Sequence, residues 1–353
     1  MRKLLFNLHL YVALGVGILV VIFGLTGAIM AFEPEIDHLL HAKLSYVTPQ
    51  SHPLSLAEIG AAVSKAYPGE RIGGYQLSTS PNLSWQVGLR RGLVYVNPYT
   101  GEILGVREGG RDFLGFVHQF HLRLALRDKA DVGKSIMSWA GMVMLFLLFS
   151  GLYLWWPLKR ISIQRNGPPR RFWFDLHNAV GILSLVFLLL LTFTGLLIGF
   201  DRNVVPWFYK ITNSEPSKQP TVPPPPPGAK PISPDQALEI ARNTLPGAIQ
   251  FQVNVPGPKG FYFVRSRFPE DLTPGGRSRV AVDQYTGQVL ASESSRTGPG
   301  GTRLVNLTRA IHTGDIFGMP SKALMSFVSL MLVIQVTSGV TMWWKRVRKK
   351  RAV

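Results

Sequence analysis

The chain has 353 residues, 46% of them hydrophobic and 16% charged, with no cysteine and a formal net charge of +18. Without cysteine there is no disulfide framework, no thiolate cage for an iron–sulfur cluster and no CxxCH motif for covalent haem. The basic surplus invites a nucleic-acid reading, but most of it sits in clusters beside apolar runs, where it reports membrane orientation, so nucleic-acid binding is set aside.

Four uninterrupted apolar runs cover about residues 8–32, 135–157, 178–200 and 323–344. Each is long enough for a membrane helix, which needs roughly 20 residues. The first opens at Leu8-His9 after a basic start, Met1-Arg2-Lys3. Its apolar stretch is too long for a signal-peptide core and has no small-x-small cleavage site before Glu33, so it is kept as a span. Gly15 and Gly17 lie inside this run and serve helix packing, not a nucleotide fingerprint.

Residues 53–108 read as a Pro-led amphipathic helix, PLSLAEIGAAVSKAYPG, followed by a hairpin, VYVNPYTGEILG, whose glycine suits a positive-φ turn. A pre-span segment, FHLRLAL, carries His121, with His118 just ahead of it, and the second run ends SGLYLWW before Lys159, Arg160, Arg165, Arg170 and Arg171. Short cytoplasmic loops retain Lys and Arg. This cluster, Arg2 and Lys3, and the basic tail from Lys345 to Arg351 therefore place the 159–175 loop and both termini in the cytoplasm and the two long segments outside.

The third run repeats the first. Leu176-His177 stands 168 positions after Leu8-His9, and Thr194-Gly195 and Phe200 keep the same offset from Thr26-Gly27 and Phe32. Pro223 to Pro227 form a semi-rigid spacer. A second Pro-led helix, PISPDQALEIARNTLPG, and a second hairpin, VAVDQYTGQVLA, follow, then IHTGDIFGMP around His312 and a fourth run ending SGVTMWW. The expected segments are a first transmembrane helix over 1–33, a first α+β exported domain with pre-span helix over 34–132, a second span over 133–158 and a cytoplasmic loop over 159–175. A third span over 176–200, a linker and second exported domain over 201–320, and a fourth span with basic tail over 321–353 complete the chain.

The two Leu-His span starts, the Tyr-Thr-Gly hairpins, FHLRLAL, IHTGDIFGMP, and the SGLYLWW and SGVTMWW endings together resemble the PepSY-associated transmembrane helix family, in the duplicated form of its ferric-siderophore reductase branch. The resemblance implies an α-helical membrane protein with four transmembrane helices in two repeats, each carrying a small α+β PepSY-like exported domain. It also implies a bacterial inner-membrane cytochrome b, with the PepSY-like domains periplasmic, that carries electrons outward to a ferric siderophore for iron uptake.

The residues bear on that implication independently. Of eight histidines, His9 and His177 stand at the cytoplasmic mouths of the first and third spans, and His121 and His312 just before the second and fourth on the outer side. Each repeat-related pair can supply two axial imidazoles to one haem between facing helices. Two non-covalent haem b groups are thus expected, with His9, His177, His121 and His312 as iron ligands. His118, one helical turn from His121, is the alternative to His121; its counterpart in the second copy is Arg309, which cannot ligate iron, so His121 is preferred. A histidine at a span end is more often an interfacial polar residue than a ligand, but repetition at equivalent places and the cost of ionisable groups at the membrane edge favour ligation. His38, His41 and His52 have no counterparts and read as exported surface. Arg71, Arg90, Arg91, Arg107, Arg111, Arg123 and Arg127 read mainly as a solvated basic surface, though they would attract an anionic chelate.

The expected activity is an oxidoreductase of the ferric-siderophore reductase type, with membrane quinol or a cytoplasmic reductase as donor and the lipid bilayer as its setting. Two other classes stay open. One is a PepSY-type binding or regulatory membrane protein without redox activity; another is a haem carrier serving a different periplasmic acceptor. A transporter has little to be built from, with four spans, halves of the same orientation and no polar residue near mid-bilayer.

Overall fold

The computed structural model describes residues 1–108, 112–159, 161–164, 168–258 and 260–351; Arg111, Arg160 and Arg165 lie outside the described residues. In chain order the helices are α1 (Arg2–Met30), α2 (Glu33–Leu40), α3 (Ala42–Ser45), α4 (Leu56–Ala66), α5 (Phe113–Arg123), α6 (Ala130–Trp155), α7 (Pro169–Gly199), α8 (Asp201–Ile211), α9 (Pro234–Thr244), α10 (Gly300–Thr313) and α11 (Met319–Arg351). The strands are β1 (Gly74–Gln76), β2 (Trp85–Leu89), β3 (Gly92–Val96), β4 (Ile103–Arg107), β5 (Ile249–Asn254), β6 (Phe261–Arg267), β7 (Ser278–Asp283) and β8 (Val289–Glu293). The chain divides into two units, one of Met1–Glu33, Phe113–Val205 and Leu307–Val353, the other of Pro34–Asp112 and Pro206–Asn306.

In the first unit all four apolar runs form helices long and apolar enough to cross a membrane: α1, α6, α7 and α11. α7 starts at Pro169 and α11 runs to Arg351, so the basic flanks continue the helices beyond the apolar runs. α1 and α7 each pack between α6 and α11, which closes a four-helix ring. Val20 of α1, Met144 of α6, Leu188 of α7, and Val328 and Leu332 of α11 fill its centre as one buried cluster. Small residues let the backbones approach: a Cβ on Gly24 would lie 2.6 Å from the Ser329 carbonyl oxygen of α11, and Ser326 donates to the Ala28 carbonyl at 3.0 Å. The short helix α5 packs on α1 and α6. Lys134 ties α6 to Asp201 at 2.7 Å. The pre-span helix α5, and α10 from Leu307 onward, belong to this unit, where the sequence boundaries at 132 and 320 had assigned them to the exported segments.

The second unit takes its strands from both long segments. The sequence reading drew two small α+β domains; among the described residues eight strands form one antiparallel sheet in the order β4-β3-β2-β1-β5-β6-β7-β8. The join is β1 against β5, with Tyr75 opposite Val253. A three-stranded or four-stranded sheet with one short helix buries little apolar area, and pairing the two leading strands gives α4 and α9 one shared core. Ile59, Val63, Val87, Val94, Ala237, Val253, Val264 and Val280 lie fully buried in it.

Both helices start in capping boxes, Ser55 with Glu58 and Ser233 with Gln236. Asp235 of α9 also reaches across to α4, accepting from the Leu56 and Ala57 amides at 2.7 and 2.9 Å. The Tyr-Thr-Gly turns place Gly101 and Gly287 at φ +73°, the left-handed conformation that glycine adopts without cost. Arg107 pairs with Asp37 at 2.8 Å and with Asp112. Arg91 pairs with Glu70, so two of the arginines weighed as anion attractors are already engaged.

Candidate functional site

Each of the four histidines on which the sequence reading converged sits in the helical unit, and each rests against a helix other than its own. His9 of α1 meets α6, with Nδ1 2.8 Å from Ser150 Oγ. His177 of α7 meets α11, with Nδ1 3.0 Å from Ser338 Oγ and 3.1 Å from the Gln335 carbonyl oxygen. His121 of α5 meets α1, with Nδ1 2.7 Å from Thr26 Oγ1. His312 of α10 meets α7, with Nδ1 3.1 Å from Thr194 Oγ1 and 3.1 Å from the Leu191 carbonyl oxygen. In every case Nδ1 takes the helix partner, which leaves Nε2 for another bond.

A glycine follows each of these hydroxyl residues and leaves room for the ring. A Cβ added at Gly151, Gly339, Gly27 or Gly195 would lie 3.4, 3.5, 3.6 or 2.9 Å from the Cε1 atom of His9, His177, His121 or His312, respectively. The Thr-Gly and Ser-Gly pairs were visible in the sequence only as repeat markers. Their role as seats for the histidines needed the fold, because each seat and its histidine are separated by 95 to 161 positions.

His121 and His312 face each other with ring centroids 6.5 Å apart and planes inclined by 48°. A first-row metal ion about 2 Å from the nitrogen of each of two facing imidazoles separates the ring centroids by about 6 Å, so the spacing fits one axial pair. The two rings are densely surrounded by protein. Burial, with smaller contributions from the neighbouring His312 and His118, pushes the His121 imidazole down to about 3. Burial likewise pushes His312 down to about 4 against the opposing effect of the Leu191 carbonyl. Both rings are therefore neutral near pH 7, the form that binds a metal. His118 turns elsewhere: its Nδ1 lies 2.9 Å from Glu33 Oε2. Phe23 stands edge-on to His121 at 6.1 Å, between it and the central apolar cluster.

His9 and His177 line one cavity of about 1010 Å³. That volume reaches the upper end of the range for cofactor pockets. The walls are mostly apolar, with Leu14, Leu148, Leu185 and Val340 among them, and Val20, Met144, Leu188 and Leu332 contribute from the central cluster. Arg2, Lys3, Arg170, Arg171 and Arg346 supply cationic groups to the same cavity. An apolar slot with two histidines and several cations suits a flat hydrophobic macrocycle with carboxylate substituents, because guanidinium groups bind carboxylates with charge-assisted hydrogen bonds. From His9 to Thr26 along α1, at about 1.5 Å per residue, the two histidine pairs lie about 25 Å apart. Among the described residues no group of three or more His, Cys, Asp or Glu side chains gathers as a metal cage, and a porphyrin iron needs none, since the protein supplies only the axial ligands.

A family model for the PepSY-associated TM region matches residues 6–346. The chain belongs to that family. Comparison with curated proteins gave no significant match. The family region extends from before His9 to beyond Trp344, so it takes in both histidine pairs, all four seats and the strands of the sheet unit.

Proposed function

We propose that this member of the PepSY-associated TM family is an inner-membrane dihaem cytochrome b that delivers electrons to a periplasmic ferric siderophore. The observation that carries the reading is the placement of four histidines as two pairs at opposite ends of one four-helix ring, each with Nδ1 bound and Nε2 left over. A membrane bundle that only anchored a binding domain has no use for four such imidazoles, since each polar ring in an apolar bundle must be compensated.

His9 and His177 would hold one haem and His121 and His312 the other. When bound, haem iron supplies reversible one-electron chemistry that the side chains of this chain lack. Arg2, Lys3, Arg170, Arg171 and Arg346 would orient the first cofactor by engaging its carboxylates, and by the positive-inside rule that end would be the cytoplasmic one. The Val20, Met144, Leu188 and Leu332 cluster keeps water from crossing between the two ends. Electrons enter from quinol or a cytoplasmic reductase and leave near His121 and His312. Reduction of a ferric chelate weakens its hold on iron, because the hard oxygen ligands suit the ferric ion better.

Dithionite-reduced protein mixed anaerobically with a ferric hydroxamate in the presence of an iron(II) trap is expected to reoxidise as the trap colours. Absence of reaction with hydroxamate, catecholate and carboxylate chelates alike contradicts the substrate assignment. The alternative of a PepSY-type binding or regulatory protein predicts purified protein without haem.

A further inference from the structure

We propose that the hydroxyls of Thr26, Thr194, Ser150 and Ser338, joined at His312 and His177 by the Leu191 and Gln335 carbonyls, are positioning groups that fix the tautomer of the four histidines and thereby set the reduction potential at each end of the bundle. The inference rests on the dihaem reading and deepens it.

The proton can be located by elimination. A carbonyl oxygen only accepts, so the 3.1 Å contacts of His177 Nδ1 with Gln335 O and of His312 Nδ1 with Leu191 O require the proton on Nδ1. The other two histidines meet hydroxyls alone. Thr26 Oγ1 already donates its proton to the Ile22 carbonyl at 2.5 Å, and Ser150 Oγ donates to the Leu147 carbonyl at 3.2 Å. Those oxygens therefore accept from His121 and His9. All four rings carry the proton on Nδ1 and present the Nε2 lone pair, the state an axial ligand requires.

The chemical identity of the acceptor matters as much as its place. A carboxylate behind a ligating imidazole draws the Nδ1 proton away, enriches the ring in electrons and favours the ferric state. Among the described residues, none of these four rings bonds a carboxylate. The nearby His118 does donate to one, Glu33 Oε2 at 2.9 Å. Neutral hydroxyls hold the rings in place with less electron donation, which keeps both centres easier to reduce than carboxylate-backed ones.

The seat has a steric half as well. A Cβ at Gly195 would stand 2.9 Å from His312 Cε1, closer than carbon atoms approach, whereas at Gly27 it would stand 3.6 Å from His121 Cε1, an ordinary contact. Gly195→Ala should therefore displace its ring and Gly27→Ala should not.

Spectroelectrochemical titration of purified holoprotein tests the proposal. Thr26→Asp is expected to lower the midpoint of one haem by about tenfold in its ferric-to-ferrous equilibrium, ~59 mV for one electron, with the other haem unmoved. Thr26→Val should raise that same midpoint or release that haem alone, and Thr26→Ser should restore the wild-type value. Ser150→Ala should act on the opposite haem, which keeps the test alive if the Thr26 variants do not fold. Gly195→Ala should broaden or abolish the low-spin signal of one haem while Gly27→Ala leaves both signals intact. Two bound haems with both midpoints unchanged in Thr26→Asp, Thr26→Val and Ser150→Ala overturn the proposal. Wild-type protein that binds no haem overturns the dihaem reading instead, before any variant is made.

Discussion

Removing one carboxylate should show that the two sequence copies share a single fold in the sheet unit. Asp235 lies in the first turn of α9 yet accepts from the Leu56 and Ala57 amides of α4, at 2.7 and 2.9 Å. Those amides belong to the first turn of α4, where no intrahelical acceptor exists. Hydrogen bonds to a charged group contribute about 1.5–3 kcal/mol each, and a carboxylate at a helix N-terminus about 0.3–1 kcal/mol. Asp235 is only half-buried and Ser55 still caps the helix, so Asp235→Ala should cost the unit about 2 kcal/mol after screening. At 1.4 kcal/mol per tenfold, that is about 30-fold faster amide exchange.

Hydrogen–deuterium exchange on the detergent-solubilised chain, read by peptide, is the assay. Residues 56–66 should lose protection together with β1 and β5, since all three meet in one core. Asp235→Asn keeps an acceptor oxygen and should show about half the effect. Faster exchange confined to 234–244, with 56–66 unchanged, would refute the bond across the copies.

The remaining predictions concern the helical unit. His9→Ala and His177→Ala should each remove one haem and spare the other, and His121→Ala and His312→Ala should do the converse, as shown by difference spectra. His118→Ala should retain both haems, because its ring pairs with Glu33 instead of facing His312; loss of a haem in this variant with both retained in His121→Ala would reverse the ligand assignment. In stopped-flow mixing with a ferric hydroxamate, reduced His312→Ala should transfer electrons far more slowly than wild type, even with the haem at the His9 and His177 end fully reduced. Leu188→Ala, at a position 2% exposed in the central cluster, should lower the thermal midpoint through a cavity cost of about 2–5 kcal/mol while leaving haem content unchanged at room temperature.

Much of this arrangement was legible in the sequence because membrane helices and turns are encoded locally. The four apolar runs, the two Pro-led amphipathic helices and the left-handed glycines at 101 and 287 depend on neighbours a few residues away. The offset of 168 between His9 and His177 drew attention to the ligand candidates without any contact being known. The fusion of the strands into one sheet was not legible. It is made by β1 pairing with β5, strands of three and six residues with no register signal of their own. Nor did the sequence show that Thr26, Ser150, Thr194 and Ser338 hold the histidines, since a hydroxyl in a membrane helix most often bonds its own backbone. These four do that as well. Lys134 stands at the start of the predicted second span, just ahead of its apolar run, and its bond to Asp201 emerges only once α6 and α7 pack.

The central claim, two histidine pairs holding two b-type haems, is tested most directly by a pyridine haemochrome measurement on protein purified after haem-sufficient expression. With no cysteine to attach the cofactor, all haem should extract into acidic acetone, at about two per chain. A value of one would leave one pair without its assigned role, and a value near zero in folded protein would contradict the account.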